Sequence, residues 1–137
     1  MAAPFPQETS TGVAAIVVAA GKGLRAGGDV PKQFAPYCGA PLLCHSVRAL
    51  AAAGISPIVV AIPEGWEDVA DEALAGIAGV RLTKGGETRQ ESVRRALEAL
   101  IGDGPESVLI HDAARPDLPL RVLRDLVGAL AAQPGAI

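Results

Sequence analysis

Short apolar runs alternate along this chain with stretches of helical periodicity. The runs predict strands at 14–19, 57–62, 80–83 and 107–110, and all but the third are almost uniformly apolar. Strands that are apolar on both sides belong in a parallel sheet covered on both faces. The alternation therefore predicts an α/β fold with a mostly parallel, twisted sheet and helices on both faces.

Four helices are predicted between and after these strands, three of them with a capping or stop residue. The first two cover 41–54 and 67–78. A capping box begins the third, in which Thr88 and Glu91 satisfy backbone N–H groups reciprocally. The fourth is predicted to be capped by Asp117. The side chains predicted to face the core are Val93, Ala96, Leu97 and Leu100 in the third helix and Leu120, Leu123, Leu126, Val127 and Leu130 in the fourth.

A glycine-rich segment follows the first strand directly and carries several cations. Glycines let backbone N–H groups approach an anion closely, and neighbouring cations neutralise phosphate charge. The segment therefore predicts phosphate binding, although a surface turn with solvated lysines is an alternative that the residues alone leave open. Its glycines and cations are Gly21, Gly23, Gly27 and Gly28 with Lys22, Arg25 and Lys32.

Two common phosphate-binding patterns do not fit this segment. The P-loop pattern is absent, because neither Lys22 nor Lys32 completes it. A dinucleotide-binding loop opens directly into a helix and needs an acidic residue about 20 positions later, at the end of the next strand. Here 27–31 does not favour a helix, and the next strand ends only near Ile62. A nicotinamide or flavin site is therefore not predicted.

Three unusual segments lie at the carboxyl ends of predicted strands, where such sheets bind ligands. They are the glycine-rich segment, 84–86 and 111–112. Asp112 is a natural ligand for Mg²⁺, which takes one or two carboxylates together with substrate phosphates. A turn or cap residue is the alternative for Asp112. Arg25 and Lys32 are cations of the kind that hold developing charge in nucleotidyl transfer.

The start of the third helix predicts a site for a planar base. Gly85 and Gly86 allow such a base to lie against the backbone, and Ser92 is placed to bond its edge. A plain capped turn is the alternative, but it leaves Arg89 and Ser92 without a role.

Composition and charge narrow the class of protein. The chain has 137 residues and a net charge of −3, which predicts one domain and no nucleic-acid partner. Residues 1–12 are predicted to be a disordered tail, and the apolar run after them is too short to span a membrane. Cys38 and Cys44 match no metal or redox spacing. We expect a cytoplasmic protein without a membrane partner.

Together these segments resemble the N-terminal part of the 2-C-methyl-D-erythritol 4-phosphate cytidylyltransferase family of the non-mevalonate isoprenoid pathway. The resemblance covers 13–137 and implies a Rossmann-like nucleotidyltransferase fold that is incomplete at its C-terminus. It also implies transfer of a cytidylyl group from CTP to 2-C-methyl-D-erythritol 4-phosphate, with release of pyrophosphate. The motifs that carry it are AAGKGLR at 19–25, PKQF at 31–34, HSVRAL at 45–50, GGETRQESV at 85–93 and HDAARP at 111–116.

The resemblance also implies roles for individual residues. Arg25 and Lys32 are the expected catalytic residues, which stabilise the pentacovalent transition state at the α-phosphorus. Asp112 is expected to hold Mg²⁺, the implied cofactor. The residues expected to bind CTP are Ala19, Ala20, Gly21 and Gly23, with Gly86, Glu87 and Ser92 at the cytosine and Ala113 beside the ribose.

The family's substrate-phosphate segment and dimerising arm would lie beyond residue 137. The expected partners are thus CTP, a sugar-alcohol phosphate and a second copy held through that later segment, and 1–137 alone is expected to be inactive. Some members of the family are fused to a second enzyme of the pathway, and the sequence of this chain is compatible with such a fusion. A transferase for ribitol 5-phosphate or another sugar, and a nucleotide-binding fragment without turnover, are the alternatives.

Overall fold

The computed structural model describes residues 12–21 and 30–132 of the chain. Every strand and helix predicted from the sequence is present in it. In chain order the elements are β1 (Val13–Val18), a 3-10 turn (Lys32–Phe34), β2 (Pro36–Tyr37), β3 (Ala40–Pro41), α1 (Leu42–Ala52), β4 (Ile58–Ile62), α2 (Glu67–Ala73), β5 (Val80–Lys84), α3 (Arg89–Leu100), a second 3-10 turn (Ile101–Asp103), β6 (Ser107–Asp112) and α4 (Leu120–Ala132).

Four strands form one parallel sheet in the order β5-β4-β1-β6. Strand β1 lies in the middle and pairs with β6 over its full length, from Val13 opposite Ser107 to Val18 opposite Asp112. The predicted parallel sheet is confirmed. A small antiparallel hairpin, β2–β3, was not predicted. It turns at Cys38 and Gly39, which both have positive φ, as two-residue hairpin turns require.

Alternate residues of β1 face two separate cores, because successive side chains of a strand point to opposite faces. Ala15 and Val17 pack in a large cluster with side chains of α1, α2 and α4. Ala14 and Ile16 pack on the other face of the sheet, against Ala96 and Leu100 of α3. The predicted helical layers on both faces are therefore confirmed. None of the described helices has the length and apolar character needed to cross a membrane.

Among the described side chains, two that were predicted to face the core are exposed, while the predicted core side chain of Leu130 lies outside those described. Leu97 is 41% exposed, whereas Ala96 and Leu100 are buried against the sheet. Leu97 is rotated about 100° around the helix from Ala96, which carries it out of the interface. Leu120 is also exposed, because it stands in the first turn of α4, while Leu123 one turn later is buried.

Two predicted helix boundaries are also wrong. Helix α2 ends at Ala73, and the chain then turns through Gly76 at positive φ. Asp117 does not cap α4, since the first helical hydrogen bond is accepted by the Pro119 carbonyl from the Leu123 N–H, at 3.2 Å. A proline keeps the residue before it out of the helical conformation, so the helix begins only after Pro119.

The two cysteines are both free thiols. Cys38 is exposed in the hairpin turn, and Cys44 is buried in α1, where its Sγ contacts the Ala73 carbonyl oxygen at 2.9 Å. Burial raises the pKa of the Cys44 thiol, so this thiol stays protonated and packs as a small apolar side chain.

Replacing Leu100 by Ala should lower the free energy of unfolding by about 2–5 kcal/mol, because it opens a cavity between α3 and the sheet. Leu97→Ala removes the same atoms from an exposed site of the same helix and should cost less than about 1 kcal/mol. Urea unfolding followed by circular dichroism measures both. Equal losses would contradict the orientation of α3 described here.

Candidate functional site

One cavity of about 550 Å³ lies at the carboxyl ends of β1 and β6 and beside the start of α3. Its walls come from 18–21, 32–33, 86–89 with Ser92, and 112–115. The cavity has the size of a typical small-molecule site. The predicted convergence of the three segments that follow the strands is confirmed.

Nine of the predicted site residues line this cavity, and the remaining two, Gly23 and Arg25, lie outside the described residues. Residues that are up to 94 positions apart in the chain therefore share one space. Their individual roles stay predictions. The nine are Ala19, Ala20, Gly21, Lys32, Gly86, Glu87, Ser92, Asp112 and Ala113.

The base of the glycine-rich segment is held by both neighbouring strands. The Ala19 N–H donates to the Ala61 carbonyl at 2.8 Å, and the Ala113 N–H donates to the Val18 carbonyl at 2.9 Å. Ala19 and Ala113 are both buried. The segment therefore leaves the sheet from a fixed position.

Gln33 is a site residue whose role was not predicted. Its side-chain Nε2 donates to the carbonyl oxygens of Ala19 and Gly21, the latter at 2.9 Å, and Gln33 is only 6% exposed. A glutamine 12 residues after Gly21 carries no local signal for such a contact. Gln33 thus joins the 3-10 turn to the glycine-rich segment.

Lys32 is held at the rim of the cavity by its two buried neighbours in the 3-10 turn. Gln33 binds the glycine-rich segment, and Phe34 stacks on Trp66 with 5.2 Å between ring centroids. Lys32 itself remains exposed. Its backbone is therefore anchored while its ammonium group is available to a ligand.

The turn at Gly85 and Gly86, called here the double-glycine turn, approaches Ala20 more closely than a residue with a Cβ atom would allow. A Cβ atom on Gly85 would stand 1.9 Å from the Cβ of Ala20 and 2.9 Å from the Ser92 Oγ. The Gly85 N–H also donates to the Ile62 carbonyl, at 2.8 Å. Glycine is required at position 85 because the backbone lies so close to Ala20, and not because of an unusual φ angle.

Side chains of α3 organise the backbone that precedes the helix. Thr88 Oγ1 accepts from the Glu91 N–H at 3.0 Å, which confirms the predicted N-cap. Glu91 Oε1 accepts from the Glu87 N–H at 2.9 Å, one residue earlier than in a standard capping box. Ser92 is 1% exposed and its Oγ accepts from the Gly86 N–H at 2.9 Å. The Ser92 hydroxyl proton therefore remains available as a donor toward the cavity.

The turn after β6 is held from helix α1. Ser46 is fully buried and its Oγ donates to the Arg115 carbonyl at 3.0 Å. His111 Nε2 lies 2.7 Å from the same carbonyl and 3.1 Å from Ser46 Oγ. Because a carbonyl only accepts, the Nε2 atom of His111 carries the proton. Both residues lie in motifs noted in the sequence, but their contact spans 65 positions and was not predicted.

Asp112 forms an ion pair with Arg89 at the wall of the cavity. Arg89 Nε lies 3.2 Å from Asp112 Oδ1. In the described ranges, 12–21 and 30–132, His, Cys, Asp and Glu do not form any group of three that could hold a metal. Asp112 is therefore a single-carboxylate candidate. This donor set fits Mg²⁺, which commonly completes its shell with substrate phosphates and water.

The family model and the curated relatives agree on one family. The family model described as 2-C-methyl-D-erythritol 4-phosphate cytidylyltransferase matches residues 13–137. The bifunctional enzyme IspD/IspF of Novosphingobium aromaticivorans is 63% identical over 96% of this chain, which spans 34% of that protein. The 2-C-methyl-D-erythritol 4-phosphate cytidylyltransferase of Cereibacter sphaeroides is 49% identical over 90% of this chain and 56% of its own length. The chain thus spans between about a third and just over half of these relatives.

A solved structure agrees with the fold. The crystal structure of 4-diphosphocytidyl-2C-methyl-D-erythritol synthase from Anaerococcus prevotii has a TM-score of 0.72 and 27% identity to this chain. The match covers 87% of this chain and 51% of that one. The parallel sheet and helical layers are therefore those of this kind of nucleotidyltransferase.

Replacing Gln33 by Glu should weaken the binding of CTP, the ligand expected from the sequence, by about five- to 100-fold. The carboxylate would face two carbonyl oxygens with no proton to donate, and an unmatched buried polar group costs about 1–3 kcal/mol. Gln90→Glu makes the same chemical change at an exposed position of α3 and should leave CTP affinity within about twofold. Calorimetric titration of the full-length protein with CTP compares them. Unchanged affinity in Gln33→Glu would remove this role from Gln33.

Proposed function

Because this chain belongs to the 2-C-methyl-D-erythritol 4-phosphate cytidylyltransferase family, we propose that it is the nucleotide-binding part of an enzyme with that activity. The enzyme would transfer a cytidylyl group from CTP to 2-C-methyl-D-erythritol 4-phosphate and release pyrophosphate. Residues 13–137 would form this part of the domain. The observation that carries the proposal is the single cavity shared by the glycine-rich segment, Lys32, the double-glycine turn and Asp112.

The shape of the cavity supports an orientation for CTP. The phosphates would lie along Ala19, Ala20 and Gly21, where glycine-rich backbone is accessible to an anion. The cytosine would lie at the turn before α3, against Gly86 and Glu87, with the Ser92 hydroxyl toward its edge. Ala113 would then stand beside the ribose.

The transfer needs positioned charge more than covalent help from the protein. An oxygen of the acceptor's phosphate would attack the α-phosphorus in line. The bond from that phosphorus to the oxygen bridging to the β-phosphate would break, and pyrophosphate would leave with the bonding pair. Lys32, at the rim of the cavity, and Arg25 would stabilise the charge that develops on the α-phosphate oxygens.

The metal of the proposed reaction is Mg²⁺, and Asp112 is the residue that would hold it. Mg²⁺ would supply positive charge against the triphosphate and orient the leaving pyrophosphate. The proposal also includes a cytoplasmic location, a sugar-alcohol phosphate as the acceptor, and a homodimer formed through a segment beyond residue 137.

The function is tested with the full-length protein, CTP, Mg²⁺ and a coupled assay for pyrophosphate. We expect pyrophosphate and a cytidyldiphospho product with 2-C-methyl-D-erythritol 4-phosphate, and much slower reaction with ribitol 5-phosphate. A preference for ribitol 5-phosphate would overturn the choice of acceptor. CTP binding without release of pyrophosphate from any sugar phosphate would overturn the enzymatic proposal.

Lys32→Ala should lower kcat by about 10²- to 10³-fold and change CTP affinity much less, because a preorganised charge acts mainly on the transition state. Lys84→Ala removes the same charge from an exposed side chain that lies 3.9 Å from Glu64 and does not line the cavity. That variant should keep kcat within about twofold. A Lys32→Ala protein with normal kcat would exclude Lys32 from catalysis.

A further inference from the structure

We infer that Arg89 is a counter-ion that exchanges partners when the site is loaded. It pairs with the Asp112 carboxylate, and it binds a phosphate of the incoming nucleotide once a divalent cation takes Asp112. This inference rests on the proposed function. It assigns Arg89 a part in binding the metal and the nucleotide. Neither the capping of α3 nor the proposed transfer explains such a part.

The position of Arg89 in α3 is unfavourable for the helix. Arg89 is the first residue of α3, where the N-terminal end of the helix dipole repels a cation. The helix already has its cap in Thr88 and an acidic residue of its first turn in Glu91. Helix stability therefore does not explain an arginine here. The carboxylate of Asp112, which the chain brings from β6, compensates this charge.

The ion pair is built so that it can open at little cost. Arg89 Nε and Asp112 Oδ1 are 3.2 Å apart, and the two side chains are 58% and 40% exposed. Pairs with this much contact with water contribute little net stability. Both side chains also line the cavity, so either can turn to a ligand there.

The pair also stands next to the segment proposed for the phosphates. Asp112 is the register partner of Val18, which directly precedes Ala19 at the start of that segment. The Arg89 guanidinium, which contacts Asp112, therefore lies beside the exit of β1. A guanidinium released at this point has phosphate oxygens as its natural new partner, since it binds them through two parallel hydrogen bonds.

Charge balance makes this exchange favour the metal–nucleotide complex over the free metal ion. Within the described part of the chain, Asp112 is the carboxylate proposed to hold a divalent cation, and a free cation that binds it must displace Arg89, which then faces a second positive charge. The metal–nucleotide complex brings the phosphates that neutralise the released guanidinium. Metal and nucleotide binding are therefore coupled through Arg89, and each strengthens the other.

The test measures Mn²⁺ in place of Mg²⁺, because free Mn²⁺ can be counted by electron paramagnetic resonance without any turnover. The full-length protein is titrated with Mn²⁺ alone, and then with Mn²⁺ and a non-hydrolysable CTP analogue. In Arg89→Met, affinity for Mn²⁺ alone should rise about two- to fivefold, since a competing cation has gone. Affinity for the Mn²⁺–nucleotide complex should fall about tenfold or more, since a charged hydrogen-bond donor has gone.

Three further variants isolate the effect. Arg94→Met removes a guanidinium from the same helix that pairs with Glu98 at 3.3 Å, outside this cavity, and should change neither affinity. Arg89→Lys keeps the charge but loses the paired hydrogen-bond donors. Both of its affinities, for Mn²⁺ alone and for the Mn²⁺–nucleotide complex, should lie between those of Arg89→Met and those of the unaltered protein. Asp112→Asn should abolish the tight Mn²⁺ signal, which identifies the site being measured.

The opposite directions of the two changes are the signature of partner exchange. Arg89→Met with unchanged or weaker binding of Mn²⁺ alone would overturn the inference, as would unchanged binding of the Mn²⁺–nucleotide complex. A parallel loss of both affinities would mean that Arg89 is only structural, and would overturn it as well. A failure of the proposed function gives a different result, which is seen in the unaltered protein. That protein would then bind no CTP analogue in the presence of Mn²⁺, and this result would overturn both the proposed function and the inference about Arg89.

Discussion

The pairing of β6 with β1 is the interaction on which the rest of the site depends. Six residues of each strand are in register, and the last pair joins Val18 to Asp112. A shift of one residue would turn every side chain of β6 to the opposite face of the sheet. With the observed register, the carboxylate of Asp112 and the start of the glycine-rich segment stand side by side. The parallel direction of the strands then brings the β5–α3 turn to the same edge.

Small residues let the segments at this edge approach one another. The chain has 50% apolar residues but only 3% aromatic ones, and its central strand is built from Ala, Val and Ile. At the ligand edge, Ala20 and Gly85 are in contact at a distance that leaves no room for another carbon atom. Beside its charged and polar side chains, the cavity therefore has walls of backbone and small residues, which suits a flat base and a chain of phosphates better than a bulky apolar ligand.

The sheet and the location of the cavity could be predicted because they follow from strong local patterns. Apolar runs indicated the strands, and the rule on carboxyl ends indicated where Gly86, Asp112 and the glycine-rich segment would meet. The contacts of Gln33, the Ser46–His111 pair and the Arg89–Asp112 ion pair could not be predicted. Each of them joins side chains whose separation along the chain carries no periodic signal. Leu97 was misassigned for a related reason, since helical periodicity alone does not say how wide the buried face is.

Gln33 has a consequence for the direction of the peptide dipoles that a ligand would meet. The carbonyl oxygen of a trans peptide and the N–H of the next residue point in opposite directions. By drawing the Ala19 carbonyl toward itself, Gln33 turns the N–H of Ala20 away from its own amide. The orientation of this donor is therefore set before any anion arrives, and an incoming phosphate does not have to reorganise it. A buried amide bonded to the backbone in this way determines part of the electric field inside the cavity.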